Sequence, residues 1–451
     1  MSQKGTATEL GTQPIGKLLT QYAIPAIIAM TASSLYNMID SIFIGHGVGA
    51  MAISGLAITF PLMNLAAAFG SLVGAGAATI ASVKLGQKDY KAAQQILGNV
   101  ITLNLVIGIA FTVVTLLFLD PILYFFGASE ATIPYARDYM VVILLGNVVT
   151  HSYLGLNSML RSAGYPRKAM FATIMTVVIN IVLAPLFIFT FDIGIEGAAL
   201  ATVLAQAIAL AWLVKLFCNK GEQLHLQRGI YRLRRNLVEN IIGIGMAPFL
   251  MNLAACFIVI LINKGLKQYD GDLAIGAFGI VNRITFLFIM IVMGLNQGMQ
   301  PIAGYNYGAQ QYGRVNRVMK LTIVAATVVT TVGFLVGELL PELAVKAFTT
   351  DPTLVEMGAR GMRIVVMFYP VIGFQMVTSN FFQSIGMAKK AIILSLSRQV
   401  MILIPCLIVL PLFLGADGVW FSMPISDAAA SVIAAVMLYR QFKQFKKRSA
   451  V

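Results

Sequence analysis

The feature that most constrains this chain is a succession of apolar stretches, each long enough to cross a bilayer. A helix needs about 20 predominantly apolar residues to span a hydrocarbon core of about 30 Å. Twelve such stretches follow one another. The first six are 15–44, 53–83, 95–119, 136–160, 169–190 and 196–217; the second six are 240–263, 274–302, 318–340, 360–382, 391–413 and 418–439. Apolar residues make up 58% of the 451 and charged ones only 11%, far from the balance of a soluble domain. The expected fold class is therefore all-α integral membrane, with twelve transmembrane helices. Several stretches exceed the minimum length, so tilting or kinking is expected at Pro25, Pro61, Pro185, Pro248, Pro301, Pro370 and Pro424.

The residues from Met1 to Pro14 are polar and lack the basic-then-apolar pattern of a cleaved signal, so the first helix is expected to stay in the mature chain. Cys218, Cys256 and Cys406 lie scattered without pairing or metal spacing and read as small apolar fillers. Basic residues set the orientation, because short loops rich in Lys and Arg remain cytoplasmic. With both termini inside, 24 of the 32 Lys and Arg fall on the cytoplasmic side and six outside, leaving Arg283 and Arg398 within helices. The net charge of +14 is thus a mark of topology, with attraction to anionic cytoplasmic lipid as a by-product. The basic run from Arg228 to Arg235 is one connecting loop, which argues against nucleic acid as a partner.

The chain repeats itself. Shifted by 222 residues, LGQKDYKAAQ (85–94) lies on YGAQQYGRVN (307–316), RSAGYPRKA from Arg161 lies on QSIGMAKKA from Gln383, and AISGLAI (52–58) lies on AIGAFGI (274–280). At 221, GIEGAALATVLAQ from Gly194 lies on GADGVWFSMPISD from Gly415, and at 223 Pro25 lies on Pro248. Six helices per unit is an even number, so both halves keep one orientation and form a parallel repeat. The expected domains are an N-terminal lobe (1–217), a basic cytoplasmic linker (218–239) and a C-terminal lobe with a basic tail (240–451). Small-residue spacings such as Gly70 to Gly74 and Gly333 to Gly337 match the close-packing motif of membrane helices.

Four ionisable groups lie within the spans, where a charge is costly and functional by default: Asp40, Arg283, Arg398 and Asp427. Tyr36, Asn37 and Asp40 recur at helical spacing and share one face, suited to hydrogen-bonding a carboxylate or coordinating a small cation. A less interesting reading makes Asp40 an interfacial carboxylate near the outer end of its helix. Rise per residue puts Asn180, Thr202 and Gln206 at comparable depth, so a polar cluster with Asp40 is geometrically possible. Ordinary interhelical hydrogen bonding explains Asn180 and Thr202 equally well. Asp427 sits opposite Gln206 in the repeat. It either faces a central cavity and attracts a cationic ligand, or pairs with Arg283 or Arg398. Gln206, Asp427, Arg283 and Asn157 form the expected substrate-cavity set.

YNMIDSIFIG from Tyr36, GLAITFPL from Gly55, RSAGYPRKAM from Arg161, GIEGAALATVLAQ from Gly194 and GLNQGMQPIAGYNYGA from Gly294 resemble segments of the multidrug and toxic compound extrusion (MATE) transporters, in their DinF-like and MepA-like branch. The resemblance runs over essentially the whole chain. It implies two six-helix lobes arranged in a V, and export of diverse, often cationic drugs and toxins in exchange for inward-moving H⁺ or Na⁺. It implies a multi-pass protein of a bacterial or archaeal plasma (inner) membrane, working without a cofactor and as a monomer. The family's coupling site falls on Asp40, Asn180 and Thr202, with Tyr139 as a weaker match. The family's helix 5 motif carries an acid before its proline, where this chain has Ala184. A single desolvated carboxylate can still carry a proton, but it is a poorer Na⁺ cage at Asp40, Asn180 and Thr202, so H⁺ is the favoured ion. Pro25, fifteen residues before Asp40, is the expected bending point.

Two other classes are weighed. A flippase for a lipid-linked saccharide shares this fold, but tends to more helices and a more cationic cavity. An enzyme would need a nucleophile, metal or acid–base set, whereas His46, His151 and His225 stand apart in sequence and no HExxH or GxSxG pattern occurs.

Overall fold

The computed structural model describes residues 7–448, and every regular element among them is helical. The first half contains α1 (Glu9–Thr12), α2 (Ile15–Gly47), α3 (Ala50–Gly86), α4 (Tyr90–Leu117), α5 (Leu119–Phe125), α6 (Ile133–Leu145), α7 (Asn147–Ser162), α8 (Pro166–Pro185) and α9 (Ile195–Phe217). The second half contains α10 (Arg235–Asp270), α11 (Asp272–Gly308), α12 (Tyr312–Leu339), α13 (Pro341–Lys346), α14 (Pro352–Val366), α15 (Tyr369–Ser384), α16 (Ala388–Leu396), α17 (Ile404–Leu414) and α18 (Ala416–Arg448). A π-helical stretch extends α8 over Leu186–Thr190, and another joins α16 to α17 over Ser397–Leu403.

The repeat is visible in these boundaries. Adding 222 carries α3 onto α11, α4 onto α12 and α7 onto α15, at both ends of each helix. The turns repeat as well: Lys88 and Gln310 both have φ of 59°, the left-handed region that non-glycine residues seldom enter. Among the described residues, ten helical spans are long and apolar enough to cross a membrane, and the bent pairs α6–α7 and α14–α15 bring the number to twelve if each pair is one span.

One of those breaks falls where a kink is expected, at Pro370, and the other where none is. The stretches 136–160 and 360–382 are not straight rods but break by 53° and 54°. Pro370 stands at the second break, whereas the first falls at Gly146, where the sequence has no proline. At this break Thr112 on α4 donates to the carbonyl of Leu144 at 2.8 Å, tying the end of α6 to α4.

By contact, the chain forms two compact units. Unit 1 holds Ile28–Phe249 with the residues up to Thr12, and unit 2 holds Gln13–Ile27 with everything from Leu250 onward. Both α2 and α10 therefore change unit part-way along, beside Pro25 and Pro248. Glycine makes room for the partial helices. Within unit 1, a Cβ on Gly245 of α10 would overlap the carbonyl of Leu72 on α3; within unit 2, a Cβ on Gly298 of α11 would lie 2.6 Å from the Ala23 backbone of α2. Outward faces are apolar. Val106, Ile109, Val113 and Leu117 on α4, and Val324, Val328, Leu335 and Leu339 on α12, form exposed stripes at helical spacing, as lipid-facing surfaces require.

The basic connection after α9 is held down rather than loose. Asn99 on α4, fully buried, donates to the carbonyls of Ile230 (3.3 Å) and Arg232 (3.2 Å) and accepts from the Arg234 N–H (3.0 Å). Thr102 donates to the Tyr231 carbonyl at 2.8 Å, and Ile230 and Leu224 are buried. Each net hydrogen bond contributes about 1 kcal/mol. Replacing Asn99→Leu is expected to free the segment and speed tryptic cleavage at its exposed arginines by about tenfold or more. An unchanged digestion rate would show that Asn99 does not hold it.

Candidate functional site

Three of the polar residues expected in unit 1 meet. Thr202 on α9 donates to the Ala198 carbonyl one turn back at 3.2 Å, which commits its only proton. Its oxygen therefore accepts from both neighbours: the Tyr36 hydroxyl of α2 at 2.8 Å and the Asn180 amide of α8 at 2.9 Å. The same Asn180 amide also reaches the Tyr36 oxygen, at 3.4 Å. One small network thus ties α2, α8 and α9 together. The orientation of the Asn180 amide follows from it, since both acceptors demand N–H donors.

Asp40 lies one turn from Tyr36 on α2. Its residue is only 6% exposed and its Oδ1 has no hydrogen-bond partner. The phenols of Tyr36 and Tyr139 stand within electrostatic reach of the carboxylate, and Tyr139 on α6 is buried. Ala184 is fully buried. Asn37 is exposed, and Pro25 is buried within α2.

The other expected residues lie elsewhere. Gln206 accepts a short hydrogen bond from Thr150 on α7, and Asn157 on α7 donates to Thr173 on α8 at 3.1 Å, so neither bonds to the Tyr36 network. In unit 2, Asp427 on α18 pairs with Arg398, whose Nε lies 2.7 Å from Oδ1. Arg283 is exposed on α11. A cavity of about 1060 Å³ opens in unit 2 beside Arg360, Arg363 and Asp417, and none of the expected substrate residues lines it. Among the described residues, no three His, Cys, Asp or Glu come together as a metal cage. Sequence reading missed the Asn99 clasp, because its partners lie more than 130 residues away and are backbone atoms, which no motif records.

The family description MatE matches twice, over residues 25–186 and 247–408. The chain belongs to the MatE family. The two matches are themselves 222 residues apart, so the MatE repeat and the helix boundaries coincide. Relatives span nearly all of it. Multidrug export protein MepA of Staphylococcus aureus (strain MSSA476) is 28% identical over 426 residues, 94% of each chain, and MepA of Staphylococcus haemolyticus (strain JCSC1435) is 29% identical over 425 residues, 94% of this chain and 93% of the relative. Among solved structures, the MATE multidrug transporter DinF-BH, solved as a ligand complex, is 36% identical with a TM-score of 0.89, covering 98% of both chains. A MATE protein in its bent conformation is 23% identical with a TM-score of 0.93 and full coverage of both, a likeness of fold. This MatE protein is accordingly a polytopic membrane transporter, and its relatives are transporters rather than enzymes.

Proposed function

We propose that this MatE protein exports chemically varied, mainly cationic and amphipathic small molecules by alternating access, in exchange for protons. The observation that carries the reading is Asp40: a buried carboxylate with an unpartnered oxygen, one turn from the residue that ties α2 to α8 and α9. The names of its relatives, multidrug export protein MepA and multidrug transporter DinF-BH, support drugs as cargo.

Proton rather than sodium follows from the donor set. Thr202 spends its oxygen on two N–H or O–H donors, and Asn180 turns its N–H₂ group, not its carbonyl, toward the cluster. A Na⁺ site needs several oxygens with free lone pairs, and with Ala184 in place of a second acid only Asp40 offers negative charge. Proton uptake would cancel the charge of Asp40 and its attraction for a cationic drug. It would also convert a bare acceptor into a hydroxyl able to donate. Pro25 lacks the N–H for one helical bond, so α2 has a built-in point at which to bend as that contact changes. Deprotonation toward the cytoplasm resets the cycle. The Lys and Arg bias supports both termini on the cytoplasmic side, and the relatives from bacteria support a bacterial or archaeal plasma membrane as the setting, with the protein working as a monomer.

Proteoliposomes loaded with either acid or sodium separate the ions. Acid-inside vesicles at equal sodium are expected to accumulate a lipophilic cationic dye at about ten times the rate of sodium-inside vesicles at equal pH. Uptake driven equally well by sodium alone would overturn proton coupling.

A further inference from the structure

The elbow between α6 and α7 carries polar side chains that the coupling network does not use. Asn147 opens α7 and His151 lies one turn further on; Asn104 on α4 stands against Gly155, one turn beyond His151 on α7. All three are at most 2% exposed. The imidazole Nε2 of His151 donates to the Ala66 carbonyl of α3 at 2.9 Å, which fixes the Nε2–H tautomer and leaves Nδ1 as a bare acceptor. That Nδ1, both amide atoms of Asn104 and the Asn147 Nδ2 have no partner in the protein.

The Asn104 amide and His151 Nδ1 share one seam, and Asn147 lies one turn before His151 on α7. A Cβ on Gly155 of α7 would overlap the Asn104 amide nitrogen, and a Cβ on Gly108, one turn from Asn104 on α4, would lie 3.6 Å from His151 Nδ1. On the third wall, a Cβ on Gly70 of α3 would sit 3.2 Å from the His151 ring. Glycines on three helices therefore keep side-chain bulk away from the polar groups. A buried donor or acceptor without a partner costs about 1–3 kcal/mol, and natural proteins meet such groups with ordered water. The set suits water, with N–H donors on two asparagines and acceptors on Asn104 and His151. It suits a cation poorly, since among its fully buried unpartnered atoms Asn104 Oδ1 is the single oxygen and none carries a charge.

The repeat supplies the control. In unit 2 the elbow between α14 and α15 bends by 54°, against 53° in unit 1, yet the positions 222 residues on from Asn104, Asn147 and His151 are Ala326, Tyr369 and Gly373. There a Cβ on Gly373 would lie 2.8 Å from the Ala326 carbonyl, and the Tyr369 hydroxyl donates to the Thr285 carbonyl at 3.1 Å. The same bend closes by direct packing. The polar trio is thus not needed to make an elbow, and its chemistry requires another explanation.

We propose that unit 1 holds an internal water site at the α3–α4–α7 seam, bound by Asn104, Asn147 and His151, with on the order of one or two molecules filling it. Water supplies the elbow of unit 1 with hydrogen bonds that can be remade when the helix flexes, where unit 2 closes by direct contacts within the protein.

The chain has three histidines, so ¹⁵N-histidine labelling gives a spectrum simple enough to assign by substitution. In lipid bilayers, water-edited solid-state NMR is expected to show polarisation passing from water to the His151 ring, with a protonated Nε2 and a hydrogen-bonded Nδ1. Asn104→Ala, which installs the residue of the matching unit 2 position, is expected to cut that transfer at least threefold while leaving His46 and His225 unchanged. The proposal is overturned if wild-type His151 receives no polarisation from water, if its Nδ1 couples directly to the Asn104 amide, or if Asn104→Ala leaves the transfer intact. The wild-type spectrum decides on its own should the variant fail to fold.

Discussion

Asp40→Asn is expected to reduce drug export about a hundredfold or more while leaving the protein folded and at least as stable as before. The substitution keeps the shape of the side chain and removes its ability to ionise. Because one carboxylate oxygen is buried without a partner, the native charge is a cost to folding, and an amide of the same size relieves it. Function moves the opposite way. With no proton to take up or release at this position, α2 loses its switch, and the proton gradient loses its grip on the drug cycle. For scale, one charge moving through 100 mV supplies about 2.3 kcal/mol, a bias of about fiftyfold. Everted vesicles with matched amounts of inserted protein give the export rate, and the thermal midpoint of purified protein gives stability. Export within about twofold of wild type would remove Asp40 from the mechanism, and a fall in stability matching the fall in export would make its role structural.

The second large effect is expected in unit 2 and on stability. Asp427 is 4% exposed and bonded to Arg398 through a 2.7 Å contact. Replacing Asp427→Leu strands a largely buried guanidinium without its counter-ion, a change that typically costs about 3–5 kcal/mol. The thermal midpoint in detergent should fall by several degrees. The double variant Asp427→Leu with Arg398→Met removes both charges and should recover most of the loss. An acid placed to attract cationic drugs behaves otherwise: its loss weakens drug affinity and leaves stability unchanged, in the single and double variants alike.

Much of this was legible in the sequence because repetition and hydropathy are periodic. The 222-residue offset read from YGAQQYGRVN reappears in helix boundaries, in paired turn residues and in the doubled MatE match. The meeting of Tyr36, Asn180 and Thr202 was readable as a possibility, from depth alone. What periodicity could not show was azimuth and break. Arg398 rather than Arg283 pairs with Asp427, and it lies in a π-helical stretch, where the extra residue per turn shifts side chains off the faces that 3.6-residue spacing assigns. The bend at Gly146 has no proline to mark it, and the Thr112 hydrogen bond beside it joins residues 32 apart. His151 stands apart in sequence and acquires its neighbours only when α3, α4 and α7 pack together.

The central claim is that proton traffic at Asp40 and drug movement are one cycle. Its most direct test is substrate-driven proton flux in proteoliposomes at symmetric pH, followed by a trapped pH dye as a cationic drug is added. The account predicts proton movement opposite to the drug in the wild type and none in Asp40→Asn at equal drug binding. Drug transport by the wild type without proton movement, or undiminished proton movement through Asp40→Asn, would contradict it.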